Sequence, residues 1–230
     1  LSTAQLPEIA AMRDAITIDF VSDVVCPWCA IGLNGLLQAI RRVDGELTVE
    51  LHIKPFELNT DMPSEGEDLV EHLQRKYGSS AEEIARNQEH LRAMGEEVGV
   101  HFDLRKRSRI YNTFDAHRLL HWAAESHRDL ALKQALLHAY FGEGRDPSDA
   151  EVLLELAVSV GLDAVRAREV LDSDAYGDEV VAEEDFYTSH GIHAVPAVIL
   201  NGRQLISGAQ SVDYYEQALR QVARQAPLPE

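Results

Sequence analysis

Ile16-Thr17-Ile18-Asp19-Phe20-Val21-Ser22-Asp23-Val24-Val25-Cys26-Pro27-Trp28-Cys29-Ala30-Ile31 is the stretch on which the reading of the whole chain turns. Ile16 to Val21 is short, β-branched and aromatic, the composition of a buried strand. A loop, Ser22 to Val25, leads to the cysteine pair. After it, Ala30, Ile31, Leu33, Leu36, Leu37 and Ile40 recur at helical spacing, so a helix starts at the cysteines and runs to about Val43, ended by Asp44-Gly45.

Cys26 and Cys29 are the two cysteines of a 230-residue chain. Placed at random, two cysteines would fall three apart in roughly one chain in a hundred, so the spacing is informative. A secreted disulfide framework uses more cysteines and longer loops, and a structural zinc site needs a second pair. Redox chemistry is therefore the leading reading. At the first turn of a helix, free amides and the helix dipole favour a thiolate, which makes Cys26 the nucleophile. Pro27 suits the first helical position, where its missing N–H costs nothing. Cys29, one turn inside, is placed to resolve a mixed disulfide on Cys26. Trp28 brings bulk and an indole donor but no charge, so the expected potential lies between the thioredoxin (~−270 mV) and DsbA (~−120 mV) values.

Outward from this motif, Leu47 to Ile53 alternates apolar and polar residues and reads as a second strand, stopped by Pro55. From Pro63 to Ala175 the pattern is helical only, with segments at 68–77, 81–98, 112–125, 129–141, 149–160 and 163–171, several opening on Asp or Asn caps. A further helix follows, then a strand from Val195 to Leu200, a two-residue turn at Asn201-Gly202, and a returning strand from Gln204 to Ile206. Ser211 caps a last amphipathic helix. This order predicts an α/β protein with a thioredoxin fold and a large all-helical insertion. The boundaries are 12–62 and 176–225 for the two parts of the thioredoxin-like domain and 63–175 for the insertion. Leu1 to Ala11 is expected to be a disordered extension.

Composition narrows the function. At 45% hydrophobic and 26% charged the chain is an ordinary globular protein, and its net charge of −18 disfavours nucleic acid and anionic membrane surfaces. Its apolar runs fall short of the ~20 residues of a bilayer span. The first fifteen residues carry one base, Arg13, and no apolar h-region, which points to the cytoplasm.

Other residues are weaker candidates. Val195-Pro196 opens a strand, the setting of a cis proline that presents the Val195 backbone to an extended substrate beside Cys26. Asp19 and Asp23 are placed to shuttle the Cys29 proton, although a solvated acid is the plainer reading of Asp23. His117 and His121 share a helical face, but no third ligand accompanies them, so no metal is expected. His190 and His193 flank the approach to Pro196, either tuning Cys26 or sitting on the surface. Ser207 to Gln210 precede the last helix, whose amides suit a carboxylate such as that of glutathione; a plain turn explains them nearly as well.

Taken together and in this order, Asp23-Val24-Val25-Cys26-Pro27-Trp28-Cys29, Pro55-Phe56-Glu57-Leu58-Asn59, Asn112-Thr113-Phe114-Asp115-Ala116-His117-Arg118, Val195-Pro196 and Ser207-Gly208-Ala209-Gln210 resemble the FrnE-type branch of the DsbA family. The resemblance runs from Ile16 to about Val222. It implies thiol-disulfide oxidoreductase activity, a cis Pro196, and a groove over the disulfide lined by Asn112, Thr113 and His117. Its glutathione-using relatives, the kappa-class transferases and 2-hydroxychromene-2-carboxylate isomerases, typically carry Ser at the position of Cys26.

Three functions follow as expectations. In the first, a dithiol-disulfide oxidoreductase acts on a protein, peptide or small molecule: Cys26 attacks, Cys29 resolves, and Pro27, Trp28, Val195 and Pro196 align the substrate. It needs no bound cofactor, with glutathione a candidate co-substrate. The second is a glutathione-dependent isomerase or transferase using the same groove. The third is a non-catalytic redox sensor or chaperone-like binder.

Overall fold

The computed structural model describes residues 15–225, so the extension at Leu1 to Ala11 lies outside the described residues. Strand β1 (Ile16–Ser22) is central: Ile16, Ile18 and Phe20 are buried on one face, while on the other Thr17 and Asp19 are half-buried and Val21 is buried. On one side it pairs in parallel with β2 (Val49–Pro55), from Ile16 opposite Val49 to Ser22 opposite Pro55. On the other it pairs antiparallel with β5 (Ala197–Leu200), which pairs with β6 (Gln204–Ser207), giving the order β2-β1-β5-β6.

Helix α1 (Pro27–Arg42) leaves β1 with proline in its first turn and Arg41 and Arg42 in its last, where cations complement the dipole. It packs on α9 (Val212–Arg224), whose N-cap Ser211 accepts from the Tyr214 amide. Close approach here depends on glycine. A Cβ at Gly32 would stand 3.0 Å from Pro196 Cγ, and one at Gly35 3.3 Å from the Gln210 carbonyl oxygen.

Between β2 and β5 lie β3 (Glu67–Asp68), α2 (Leu69–Tyr77), α3 (Ala81–Glu97), β4 (Arg109–Ile110), α4 (Phe114–Ala124), α5 (Asp129–His138), α6 (Ala150–Ser159), α7 (Ala164–Leu171) and α8 (Gly177–Ser189). The inserted helices share one core with the sheet: Ile18 and Leu33 belong to the same buried cluster as Leu119, Leu136 and Leu153. A second tie is polar, the Ile53 amide donating to Asp129 Oδ2 at 3.3 Å.

Several sequence expectations shift, each for a local reason. The second strand starts at Val49 and not Leu47, because the Leu47 amide donates to the Val43 carbonyl in the turn that ends α1. It runs through Pro55, since β2 is an edge strand and can spare one N–H. The insertion is not purely helical: β3 and β4 form a two-residue antiparallel pair, too short to leave an alternating pattern. Asp68, Asp149 and Asp163 are the caps themselves, so their helices begin one residue later. The helix expected from Asn112 starts at Phe114, whose amide donates to Asn112 Oδ1. Helix α5 ends at His138 and widens into a π turn over Ala139–Glu143. The strand expected from Val195 begins at Ala197. The hairpin turn has three residues, 201–203, because Leu200 pairs with Gln204. Asn201 is also held to β1, its amide donating to the Thr17 carbonyl at 2.8 Å.

Candidate active site

Cys26 is the N-cap of α1, and its carbonyl accepts from the Cys29 and Ala30 amides at 3.1 and 3.3 Å. Both thiols are free, and Cys29 is wholly buried. The Cys26 thiol points to the Val195 carbonyl, 3.7 Å from Sγ to O. The Val195–Pro196 peptide is cis, and the Pro196 carbonyl accepts from the Gly208 amide at 2.8 Å. Pro27 is half-buried, while Trp28 stands at the surface with its ring 5.9 Å from that of His90 on α3.

Beneath the pair is a buried polar floor assembled from three elements. Asp23, from the loop after β1, is 0% exposed; its Oδ1 accepts from the Val24 amide at 2.6 Å and its Oδ2 from the Leu58 amide at 2.8 Å. His117, from α4, brings Nε2 to 3.4 Å from Asp23 Oδ1, an electrostatic contact without hydrogen-bond alignment. Lys133, from α5, is 0% exposed and donates to the Ser22 carbonyl at 3.3 Å.

Burial and charge pull these groups in different directions. For Asp23, burial pushes upward, but His117, the Leu58 amide and Lys133 outweigh it, and the carboxyl lies below its ordinary value. Burial lowers His117 despite Asp23, so the imidazole tends to neutral. Lys133 is also lowered by burial, with Cys29, Asp23 and Cys26 holding it back. Cys29 is raised well above an ordinary thiol, first by burial and then by its hydrogen bond with Cys26 and the Cys26 charge. The inner sulfur therefore stays protonated until a base takes its proton. The floor beneath it holds an ionised carboxylate.

The sequence candidates divide accordingly. Cys26, Cys29, Val195 and Pro196 converge. Ser207 to Gln210 form a buttress: Gln210 Nε2 donates to the Ser207 carbonyl, the Gln210 amide to the Tyr215 hydroxyl, and that hydroxyl to the Gly208 carbonyl. Ala209 lies against Gly32, its Cα 3.5 Å from where a Cβ would stand. The groove implied for Asn112, Thr113 and His117 is not what the structure builds, because Thr113 and His117 are buried. Asn112 spends its side chain on the Phe114 amide and the Met62 carbonyl.

His121 turns away from His117 to Glu183, 3.7 Å from Nδ1, and His190 and His193 are exposed. The plain reading of Asp23 as a solvated acid is overturned by its burial. Lys133 was missed; its signal is a lysine on an apolar helical stripe with Leu130, Leu136 and Leu137. Tyr77, at the end of α2, is largely exposed, and partial desolvation and then the Cys26 charge raise its phenol.

A cysteine pair opening the helix that follows the central strand, on a sheet of this order, defines a class: thioredoxin-like redox proteins. Within it, the chain belongs to the DSBA-like thioredoxin domain family, whose sequence model matches residues 17–220. An uncharacterised Bacillus subtilis (strain 168) protein, YwbO, is 30% identical over 205 residues, 89% of this chain and 96% of that one. A structure described as a probable DsbA oxidoreductase from Streptomyces coelicolor is 35% identical, with a TM-score of 0.86 over 94% of this chain and 93% of that one. The cytosolic disulfide reductase DsbM from Pseudomonas aeruginosa, solved with GSH, shares the fold at 19% identity, with a TM-score of 0.64 over 91% of this chain and 100% of that one. Among the described residues no helix is long and apolar enough to cross a membrane.

Proposed function

We propose that the protein is a dithiol-disulfide oxidoreductase working through Cys26 and Cys29. The observation that carries this reading is the asymmetry of the pair: Cys26 at the helix start against the Val195 carbonyl, Cys29 buried above an ionised acid. The Cys26 thiolate attacks one sulfur of a substrate disulfide, forming a mixed disulfide and releasing the other sulfur as thiolate. Cys29 then gives its proton to the Asp23 carboxylate and attacks Cys26 Sγ. The Cys26–Cys29 disulfide forms as the substrate leaves as its second thiolate. Two electrons pass from pair to substrate, and the reverse sequence oxidises a substrate dithiol. The electrons come from the pair itself, so no resident cofactor enters the scheme.

The substrate is a disulfide- or thiol-bearing protein, peptide or small molecule, with glutathione as a co-substrate. The DsbM structure with GSH supports that part, and a cytosolic setting is supported by the same neighbour. The net charge of −18 argues against nucleic acid and anionic membrane as partners.

The test is a titration in glutathione redox buffers with free thiols as readout. A reversible two-electron couple is expected, lost in Cys26→Ser. A pair that stays reduced, or a stable glutathione adduct on Cys26, would overturn the reading in favour of glutathione-dependent isomerase or transferase chemistry.

A further inference from the structure

Arg107 is a buried cation whose contacts include no carboxylate among the described residues. Its guanidinium lies against two aromatic rings, 5.1 Å from the Tyr140 centroid and 5.0 Å from that of Phe141. Nε donates to the Tyr140 hydroxyl at 2.9 Å, and that hydroxyl donates to the Arg109 carbonyl at 2.9 Å. Nη2 reaches the Val25 carbonyl at 3.5 Å. That carbonyl belongs to the peptide whose nitrogen is that of Cys26.

The position is fixed by its surroundings. Tyr140 and Phe141 belong to the π turn after α5, a distortion that concentrates at functional sites. The Phe141 carbonyl accepts from the Asp103 amide at 2.9 Å. Gly144, at φ +72°, lets the chain come so close that a Cβ there would stand 2.5 Å from the Lys106 carbonyl oxygen. The segment carrying Arg107 is thereby clamped onto the turn that supplies its rings.

A neutral donor would satisfy the Val25 carbonyl at lower cost, because an unpaired buried charge is expensive and aromatic faces offset only part of it. An anion nearby completes the compensation. Asp23 supplies a standing one, and a Cys26 thiolate adds a second that is absent when Cys26 is in a disulfide.

We propose that Arg107 is a positioning residue that biases the Cys26–Cys29 couple toward its reduced form through the Val25 peptide, making the pair a stronger oxidant. This rests on the oxidoreductase reading and deepens it. The other titratable groups facing Cys26 are Cys29 on its own helix, Lys133 from α5 and Tyr77 from α2, and substitution at 107 leaves all three in place.

The experiment compares wild type, Arg107→Gln and Arg107→Lys at equilibrium with reduced and oxidised glutathione, alongside thermal melting of each. Gln keeps a donor for the Val25 carbonyl and drops the charge, whereas Lys keeps the charge. Arg107→Gln is expected to shift the equilibrium constant about tenfold toward the disulfide, a potential ~30 mV more negative. Arg107→Lys is expected to stay within about threefold. Melting temperatures that fall while the constant stays put would make Arg107 a structural strut and overturn the proposal. Equal shifts in Gln and Lys would overturn it as well. Should Arg107→Gln fail to fold, Tyr140→Phe frees Nε and is expected to shift the constant about threefold in the same direction; no shift there overturns the proposal. A wild type without a reversible couple would instead defeat the oxidoreductase reading and this inference with it.

Discussion

Two sets of acids lie side by side, the buried Asp23 in one and the half-buried Glu57 and Glu184 in the other, and the protein treats them in opposite ways. Below the cysteines, the Asp23 carboxylate meets Lys133, His117 and backbone amides, and it stays ionised below its ordinary range. Beside it, Glu57 after β2 faces Glu184 on α8, with Asp23 and Asp115 beyond; Glu184 in turn faces Asp23 and Asp185. Glu57 Oε2 and Glu184 Oε1 are buried without a hydrogen-bond partner. Burial first, and then these like charges, push Glu57 up to about 8 and Glu184 to about 7, the Glu57 amide pulling the latter back. Depth alone does not separate the two, since Asp23 is the more buried. What separates them is the set of donors around the charge: His117 and the Leu58 amide, and after them the Lys133 ammonium, hold Asp23 ionised, whereas each glutamate faces like charges.

The strongest way to break the contrast is to take the cation from the floor. Lys133→Met should cost about 3–5 kcal/mol in urea unfolding at neutral pH, because Asp23 is left buried beside a neutral chain. The double change Lys133→Met with Asp23→Asn should recover part of that loss. A single-variant cost under about 1 kcal/mol would mean that Lys133 does not compensate Asp23 and that the amides suffice.

A second change separates the chemistry from the packing. Asp23→Asn keeps an acceptor for the Leu58 amide but cannot receive the Cys29 proton. The resolving step should slow about 10²-fold, equivalent to ~2.7 kcal/mol of barrier. In single turnover with a model disulfide, the mixed disulfide on Cys26 should accumulate where wild type shows none. Unchanged resolution would remove Asp23 from the proton path. The pH signature carries its own sign. A depressed carboxyl contributes stability present above its unfolded value of 3.8 and lost as pH falls through the folded one, so wild type should lose this contribution in acid and Asp23→Asn should not.

The contrast was only half visible in the sequence. Residues 16–31 could be read because a buried strand, a Pro at the helix start and a cysteine spacing are local signals, and the same holds for the Ser211 cap. Asp23 could be read as a candidate proton shuttle from its place before the cysteines, but its full burial could not, because its environment is made by Leu58, His117 and Lys133, which fold in from distant segments. Lys133 left a trace as a charge on an apolar stripe. Arg107 left none, since its partners depend on a π turn that periodicity extends through as ordinary helix. Asn112 and His117 were legible as part of a motif but not in role, because a motif does not say whether its side chains face a groove or a floor.

The last prediction sharpens the other half of the comparison. Glu57 ionises near 4.5 in an unfolded chain and at about 8 in the folded one. Its contribution is therefore intact below 4.5 and is lost progressively as pH rises to about 8, the reverse of Asp23. Glu57→Gln keeps the neutral shape and removes the titration. Because the carboxyl is partly open to solvent, the full shift should not appear as stability. The variant is expected to match wild type near pH ~4.5 and to exceed it by about 1–2 kcal/mol near pH ~8.5 in urea unfolding. Parallel curves across that range would mean that Glu57 and Glu184 relax apart when they ionise, so that α8 and the loop after β2 are more loosely joined than their packing around Tyr187 and Phe56 indicates.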